Sequence, residues 1–286
     1  MKTVQSIETD VAIFGFGSIT KNIISNLQNT NTSVICISNN EYSQIEVNDC
    51  KDVKFLTRAE IVKTELQTKK TLFSWRNVDP LLQNSGEVQE WLKSSQFTSD
   101  QSFLLSSASV YANSNVAINE SEINLDLNAP SDGKLSLEAT LLGLMKDKSI
   151  FHSNLRISNA YGPSLEYGFI AALRRAIGSQ TSVQVFEGRE IIRDYIFISD
   201  IVFAVNQILM AEFPYSNINI STGKGNSIVE VLQIFGALGH FFKNQINVVP
   251  KSEIVSSSIL DCTLLASLID WKPIDLAQGI HDLLIQ

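Results

Sequence analysis

The stretch "VAIFGFGSITKNIISNL", residues 11–27, passes from an apolar segment through two glycines into a helical pattern. Ile19, Ile23, Ile24 and Leu27 recur at helical spacing, so the glycines join a strand to an amphipathic helix. Gly15 and Gly17 permit a tight turn, and the unpaired N–H groups of Ser18 and Ile19 at the helix start favour an anion. The chemistry this predicts is a dinucleotide pyrophosphate site. Thr20 stands where a third glycine normally lets helix and strand pack closely. The next strand ends in "VICISNN", and Ser38 takes the place of an acid that would hold the ribose 2′-hydroxyl of NAD. NADP is therefore as good an expectation as NAD, although no arginine follows to clamp a 2′-phosphate.

A second candidate is Lys134 in "NAPSDGKLSLEATLL". Lys134, Leu137, Glu138, Leu141 and Leu142 repeat at helical spacing, which predicts a helix over 131–147 and places Pro130 one turn before Lys134 on the same face.

The elements that must position these residues alternate. "VAIF", "SVICI", "TLFSW", "SFLLSS" and "SNLRIS" read as strands at 11–14, 33–37, 71–75, 102–107 and 153–158, too apolar to be half exposed. Helices are expected at 18–28, 58–67, 86–95 and 131–147, while residues 39–57 are weakly patterned. The alternation predicts an α/β Rossmann-type doubly wound parallel sheet with ligands at the carboxyl ends of its strands. Past residue 165 the order is less regular: helices near 169–178, 200–211 and 227–242, and strands near 183–186, at "RDYIFI" and at "NINIS". We expect a dinucleotide-binding domain over 1–164 and a smaller substrate-binding lobe over 165–286, with about 193–212 returning to the sheet. No Pro/Gly/Ser-rich linker separates them, which predicts a shared cleft.

Composition narrows the function. A chain of 286 residues, 44% hydrophobic, can build a large core. With 22 Lys+Arg against 30 Asp+Glu the net charge is -8 and no basic run occurs, which argues against nucleic acid. No apolar stretch approaches a membrane span and no signal pattern opens the sequence, so a cytoplasmic location is expected. Cys36, Cys50 and Cys262 are widely spaced and only three histidines occur, so neither a disulfide framework nor a metal site is predicted.

Taken together, "GFGSIT", "LLSSASVY", "GKLSLEA", "LRISNAYGP", "RDYIFISDI", "NISTGKGNSIVEV" and "WKPIDLAQGI" resemble, in order and spacing, the extended short-chain dehydrogenase/reductases, the NAD-dependent epimerase/dehydratase family that modifies nucleotide sugars. The resemblance covers nearly the whole chain. It implies that Ser107 is the catalytic Ser/Thr that hydrogen-bonds the reacting substrate oxygen, that Ser109 touches the sugar, and that Lys134 binds the nicotinamide ribose. It further implies that Asn159 contacts the nucleotide diphosphate and that Arg193 pairs with its phosphates, a role suited to a forked guanidinium. The same residues have structural uses: Lys134 as a solvated partner of Glu138, Asn159 as a turn former, Arg193 in a surface ion pair.

Three departures concern the cofactor side. The tyrosine whose phenol moves a proton in such enzymes is replaced by Pro130, the third glycine by Thr20, and small residues beside the cofactor by "LFSWRN". Either Trp75 fills space a cofactor would otherwise use or Arg76 supplies a phosphate contact, and the sequence does not choose between them. Tyr111 and Tyr161 are the tyrosines that could replace the missing acid by type. Ala108 and Ser109 occupy the places where the resemblance implies an Asp-Glu pair in a 4,6-dehydratase, which disfavours that reaction. The expected function is an NAD(P)-dependent oxidoreductase or epimerase of a nucleotide sugar. The alternative is an inactive relative that binds the nucleotide sugar or dinucleotide as a sensor or partner subunit. Family members commonly dimerise through the helices expected at 86–95 and 131–147, which implies a homodimer with Leu137, Leu141, Leu144 and Met145 as candidate contacts.

Overall fold

The computed structural model describes residues 5–38, 53–75, 85–112, 114, 116–122, 133–179, 181–187, 191–240, 242, 245–250 and 257–285. Arg76, Cys50 and Pro130 lie outside the described residues. The chain divides into two compact units, one of Met1–Val110, Asn128–Arg156 and Val205–Ile218, the other of Tyr111–Leu127, Ile157–Ala204 and Asn219–Gln286.

The strands β1 (Gln5–Phe14), β2 (Val34–Ile37), β3 (Val53–Leu56), β4 (Thr64–Phe73), β5 (Gln96–Ser107), β6 (Phe151–Ile157) and β10 (Asn217–Ile220) form a sheet ordered β3-β2-β1-β4-β5-β6-β10. The pairs among β1 to β5 are parallel. Strand order reverses between β1 and β4, and in such sheets ligands sit at that switch point, outside the carboxyl ends. This is the doubly wound α/β architecture expected from the alternating pattern.

Helix α1 (Ser18–Gln28) buries Thr20, Ile23, Ile24 and Leu27. The short helix α2 (Arg58–Ile61) starts at Thr57, whose hydroxyl accepts the Glu60 N–H while Glu60 accepts from the Thr57 N–H. Here the expected helix over 58–67 gives way. "TELQTKK" alternates, with Thr64, Leu66 and Thr68 buried and Glu65, Gln67 and Lys69 exposed, so it enters β4 instead. β1 and β5 also begin about six residues earlier than the apolar runs suggest, and the three extensions pair in register, Ser6 with Glu65 and Glu65 with Gln96. Period-2 alternation with one wet face built these extensions, and apolar runs alone do not reveal them.

Helices α3 (Ser85–Ser94) and α4 (Lys134–Asp147) complete the unit's core. Five rings form its centre: Phe14 lies 5.1 Å from Phe73, 5.6 Å from Trp91 and 5.4 Å from Phe97, and Phe73 lies 5.3 Å from Trp75. Leu137, Leu141, Leu144 and Met145 are buried in the same core. They pack inside their own unit and do not present a dimer face, whereas Leu142 on the same helix is exposed.

In the second unit β7 (Asn159–Tyr161), β9 (Ile192–Phe197), β11 (Gly225–Ser227) and β13 (Ser257–Ser258) form a sheet around β9, and β8 (Val183–Glu187) pairs with β12 (Ile246–Pro250). Its core gathers residues of α5 (Phe169–Ala176), α7 (Ile228–Ala237) and α9 (Leu276–Ile285) around Tyr161 and Phe197. Helix α6 (Ile198–Met210) follows β9 directly, and α8 is Thr263–Leu268. No helix among the described residues is long and apolar enough to cross a membrane.

Candidate functional site

β1 ends at Phe14 and the chain turns at Gly15, whose φ of 101° lies in the left-handed region. A Cβ at Gly15 would stand 1.9 Å from the Ser74 carbonyl oxygen and 3.0 Å from Trp75 Cδ1, so only glycine fits. The Gly15 N–H donates to the Ile37 carbonyl at 2.8 Å, which ties the turn to β2. Gly17 then caps α1 with extended backbone and no side chain to cover the helix end. Thr20, fully buried, folds its hydroxyl back: Oγ1 accepts the Gly17 N–H at 2.8 Å and donates to the Gly17 carbonyl at 3.0 Å. That is how a threonine is accommodated at the third-glycine position.

The first-turn N–H groups of Ser18, Ile19 and Thr20 have no acceptor within the helix. With an uncovered cap and the positive end of the helix dipole, this turn fits a diphosphate. Ser38 is buried at the end of β2, and its N–H donates to Leu56 at 3.1 Å. Trp75 belongs to the aromatic core, 6.4 Å from Trp91 and 5% exposed, so its indole packs beneath the glycine turn.

β5 ends at Ser107 and passes into a 3₁₀ turn at Ala108–Val110. There Ser107 Oγ accepts the Ser109 N–H at 3.1 Å, which leaves its own O–H to be donated. Ser109 Oγ is buried and has no hydrogen-bond partner among the described residues.

Lys134 is buried, and its Nζ donates to the carbonyls of Trp75 at 2.8 Å and Leu105 at 3.3 Å. Glu138, one turn later, is not paired with it as helical spacing suggests. Its carboxylate takes a bidentate pair from Arg156, Nε at 3.2 Å and Nη2 at 2.8 Å, and accepts the Ser106 hydroxyl. Both charged side chains are about 95% buried. Helix α4 also begins later than expected. Its first residue is Lys134, and the cap Gly133 has φ 72°.

In the second unit Asn159 and Arg193 lie on neighbouring strands, with Asn159 opposite Tyr195 in register. Asn159 Nδ2 donates to the Asp194 carbonyl at 2.9 Å. Arg193 Nη1 donates to its neighbour Ile192 at 2.8 Å, and burial pushes its pKa down. Asp194, between them, is fully buried and was not singled out by sequence. Its carboxylate accepts from Ser158 (3.2 Å), from the Thr222 hydroxyl and N–H (2.7 and 3.1 Å) and from the Gly223 N–H (3.0 Å). Burial raises its pKa against these bonds, which lower it. A carboxylate in "RDYIFI", beside the apolar run that ends the strand, was the available signal, because a buried charge needs such partners.

Neither tyrosine is a free acid. Tyr111 donates to Asn219 Oδ1 at 2.7 Å within a buried network. Tyr161 is a core residue whose hydroxyl has no partner among the described residues, and burial raises its pKa. That hydroxyl abuts α9, where a Cβ at Gly279 would come within 2.1 Å of it. Removing an unsatisfied buried hydroxyl relieves a desolvation penalty of about 1–3 kcal/mol. Tyr161→Phe is therefore expected to raise stability by about 1 kcal/mol in urea titration; a loss of stability would show that the hydroxyl is bonded.

Among the described residues no group of three or more His, Cys, Asp or Glu could hold a metal ion. Residues 82–221 match the model of the NAD dependent epimerase/dehydratase family. ADP-L-glycero-D-manno-heptose-6-epimerase from Brachyspira hyodysenteriae is 33% identical over 139 residues, 45% of this chain and 43% of that protein, so the match spans less than half the length of this curated relative. Among solved structures, UDP-glucuronic acid 4-epimerase from Bacillus cereus, in complex with UDP-glucuronic acid and NAD, has a TM-score of 0.80 at 16% identity, covering 98% of each chain. UDP-glucose 4-epimerase from Thermotoga maritima, with UDP-glucose, has a TM-score of 0.77 at 19% identity and the same coverage. At those identities the two structures speak for the fold. Across residues 82–221 the chain is similar to the NAD dependent epimerase/dehydratase family.

Proposed function

We propose that this chain is an NAD(P)-dependent oxidoreductase or epimerase that acts on the sugar of a nucleoside-diphosphate sugar. The observation that carries this reading is the Gly15–Gly17 turn, set at the carboxyl end of β1 where strand order reverses and opening on the uncovered start of α1. Gly15, Gly17, Ser18 and Ile19 hold the diphosphate of the dinucleotide, with Ser38 beside its adenosine ribose. Bound there, the dinucleotide supplies or accepts the hydride. Ser107 donates its O–H to the reacting substrate oxygen, and Ser109, whose buried hydroxyl lacks a partner among the described residues, takes a sugar hydroxyl. Asn159 and Arg193 bind the nucleotide diphosphate, the forked guanidinium matching phosphate oxygens. With no tyrosine at 130, the proton comes from water; a positioned acid contributes about 10²–10⁴-fold, so its loss slows such a reaction without abolishing it. The enzyme works in the cytoplasm as a homodimer.

A second reading rests on Pro130, which stands where the resemblance implies the proton-moving tyrosine. It is a non-catalytic nucleotide-sugar or dinucleotide binding protein, acting as a sensor or partner subunit. Thermal unfolding with NAD, NADP and a panel of UDP-, dTDP-, GDP-, CDP- and ADP-sugars separates the two. A ligand at 100 times its Kd adds about 2.7 kcal/mol. Stabilisation by a dinucleotide and by a sugar nucleotide, with hydride transfer between them, supports the enzyme. Stabilisation without turnover supports the binding protein, and no stabilisation by any of these ligands refutes both.

A further inference from the structure

We infer that Lys134 is a positioning residue: its ammonium clamps the carboxyl ends of β4 and β5 to the start of α4, and needs neither a tyrosine nor a cofactor ribose to do so. The parallel ladder between these strands ends at Phe73 opposite Leu104. Trp75 and Leu105 lie just past that last rung. Lys134 Nζ reaches both carbonyls, at 2.8 and 3.3 Å, so it supplies a cross-link where main-chain pairing has stopped.

A lysine that is 8% exposed is costly unless its charge is met by acceptors, and carbonyl oxygens at these distances meet it. Through Trp75 the clamp acts on the indole whose Cδ1 faces Gly15. Through Leu105 it acts on the strand end that carries Ser107. Glu138 continues the contact one turn along α4 by accepting the Ser106 hydroxyl and binding Arg156 at the end of β6. Consecutive residues of β5, Leu105 and Ser106, are thus held by two charged side chains of one helix. This holds whether or not the chain proves to be an enzyme.

The test is hydrogen exchange measured by mass spectrometry on the full chain without ligand, comparing wild type, Lys134→Met and Lys134→Gln, alongside NADH titration. Methionine keeps all but one atom of the side chain's length and removes every donor; glutamine keeps an N–H donor on an arm of that same reduced length. Exchange in peptides spanning 74–75 and 105–110 is expected to rise tenfold or more in Lys134→Met and by less in Lys134→Gln, with α9 unchanged. If Lys134→Met does not fold, Lys134→Gln is read by the same criterion. Unchanged exchange at both strand ends overturns the clamp, and weaker NADH binding in that case returns the lysine to the cofactor. A rise spread evenly over both units, α9 included, also overturns it, since it reports general destabilisation. Failure of every ligand to bind refutes the proposed function and leaves this test intact.

Discussion

Gly15→Ala is expected to destabilise the protein by at least about 3 kcal/mol, or to prevent it from folding. The new methyl group would meet a main-chain carbonyl oxygen at 1.9 Å, so no side-chain rotation relieves the clash. The left-handed φ of 101° adds about 1–2 kcal/mol for a residue with a Cβ. Gly133→Ala is the internal control. It shares the positive φ, 72°, but a Cβ there meets nothing within 4 Å, so only about 1 kcal/mol of backbone strain applies. Urea midpoints measure both. A Gly15→Ala protein within about 1 kcal/mol of wild type would mean that the turn and β4 are not packed as described. The requirement for glycine at this position is thus set by the approach of β4, before any ligand arrives.

The second large effect is expected for one substitution and is largely undone by a second. Arg156→Ala leaves Glu138 as an unpaired buried carboxylate, which typically costs about 3–5 kcal/mol. Replacing both partners with apolar residues, as Glu138→Leu with Arg156→Met, removes the desolvation penalty along with the attraction. Stability is expected to return to near the wild-type value, short by about 1 kcal/mol because the Ser106 hydroxyl loses its acceptor. The check is a double-mutant cycle in urea. If the double variant is as unstable as the sum of its single changes, the two side chains do not form the buried pair.

Much of this was legible in the sequence, for physical reasons that also mark where reading stops. The glycine turn and α1 were visible because a 3.6-residue apolar period follows directly on a Gly-x-Gly after an apolar run. The extensions of β1, β4 and β5 were missed because their outward residues are polar, and Glu65 and Lys69, spaced four apart, imitate a helical ion pair. The same spacing misdirected the reading of Lys134 and Glu138. Their acceptors and partners come from β4, β5 and β6, distant in sequence, and local periodicity carries no record of them. Arg156 at the end of an apolar strand was the clue, since a buried guanidinium requires a carboxylate. The helix expected from 131 starts at Lys134, and position 130 lies outside the described residues.

The distribution of tryptophans through the two units makes the protein its own optical instrument. Trp75 and Trp91 share one apolar cluster, while Trp271 in the other unit donates its indole N–H to the Ser221 carbonyl at 3.0 Å. The chain has three tryptophans, so Trp271→Phe confines the emission to the first unit, and a Trp75→Phe, Trp91→Phe pair confines it to the second. Coincident denaturation midpoints from the two emitters would mark a single cooperative transition, and separate midpoints would resolve the stability of each unit in turn.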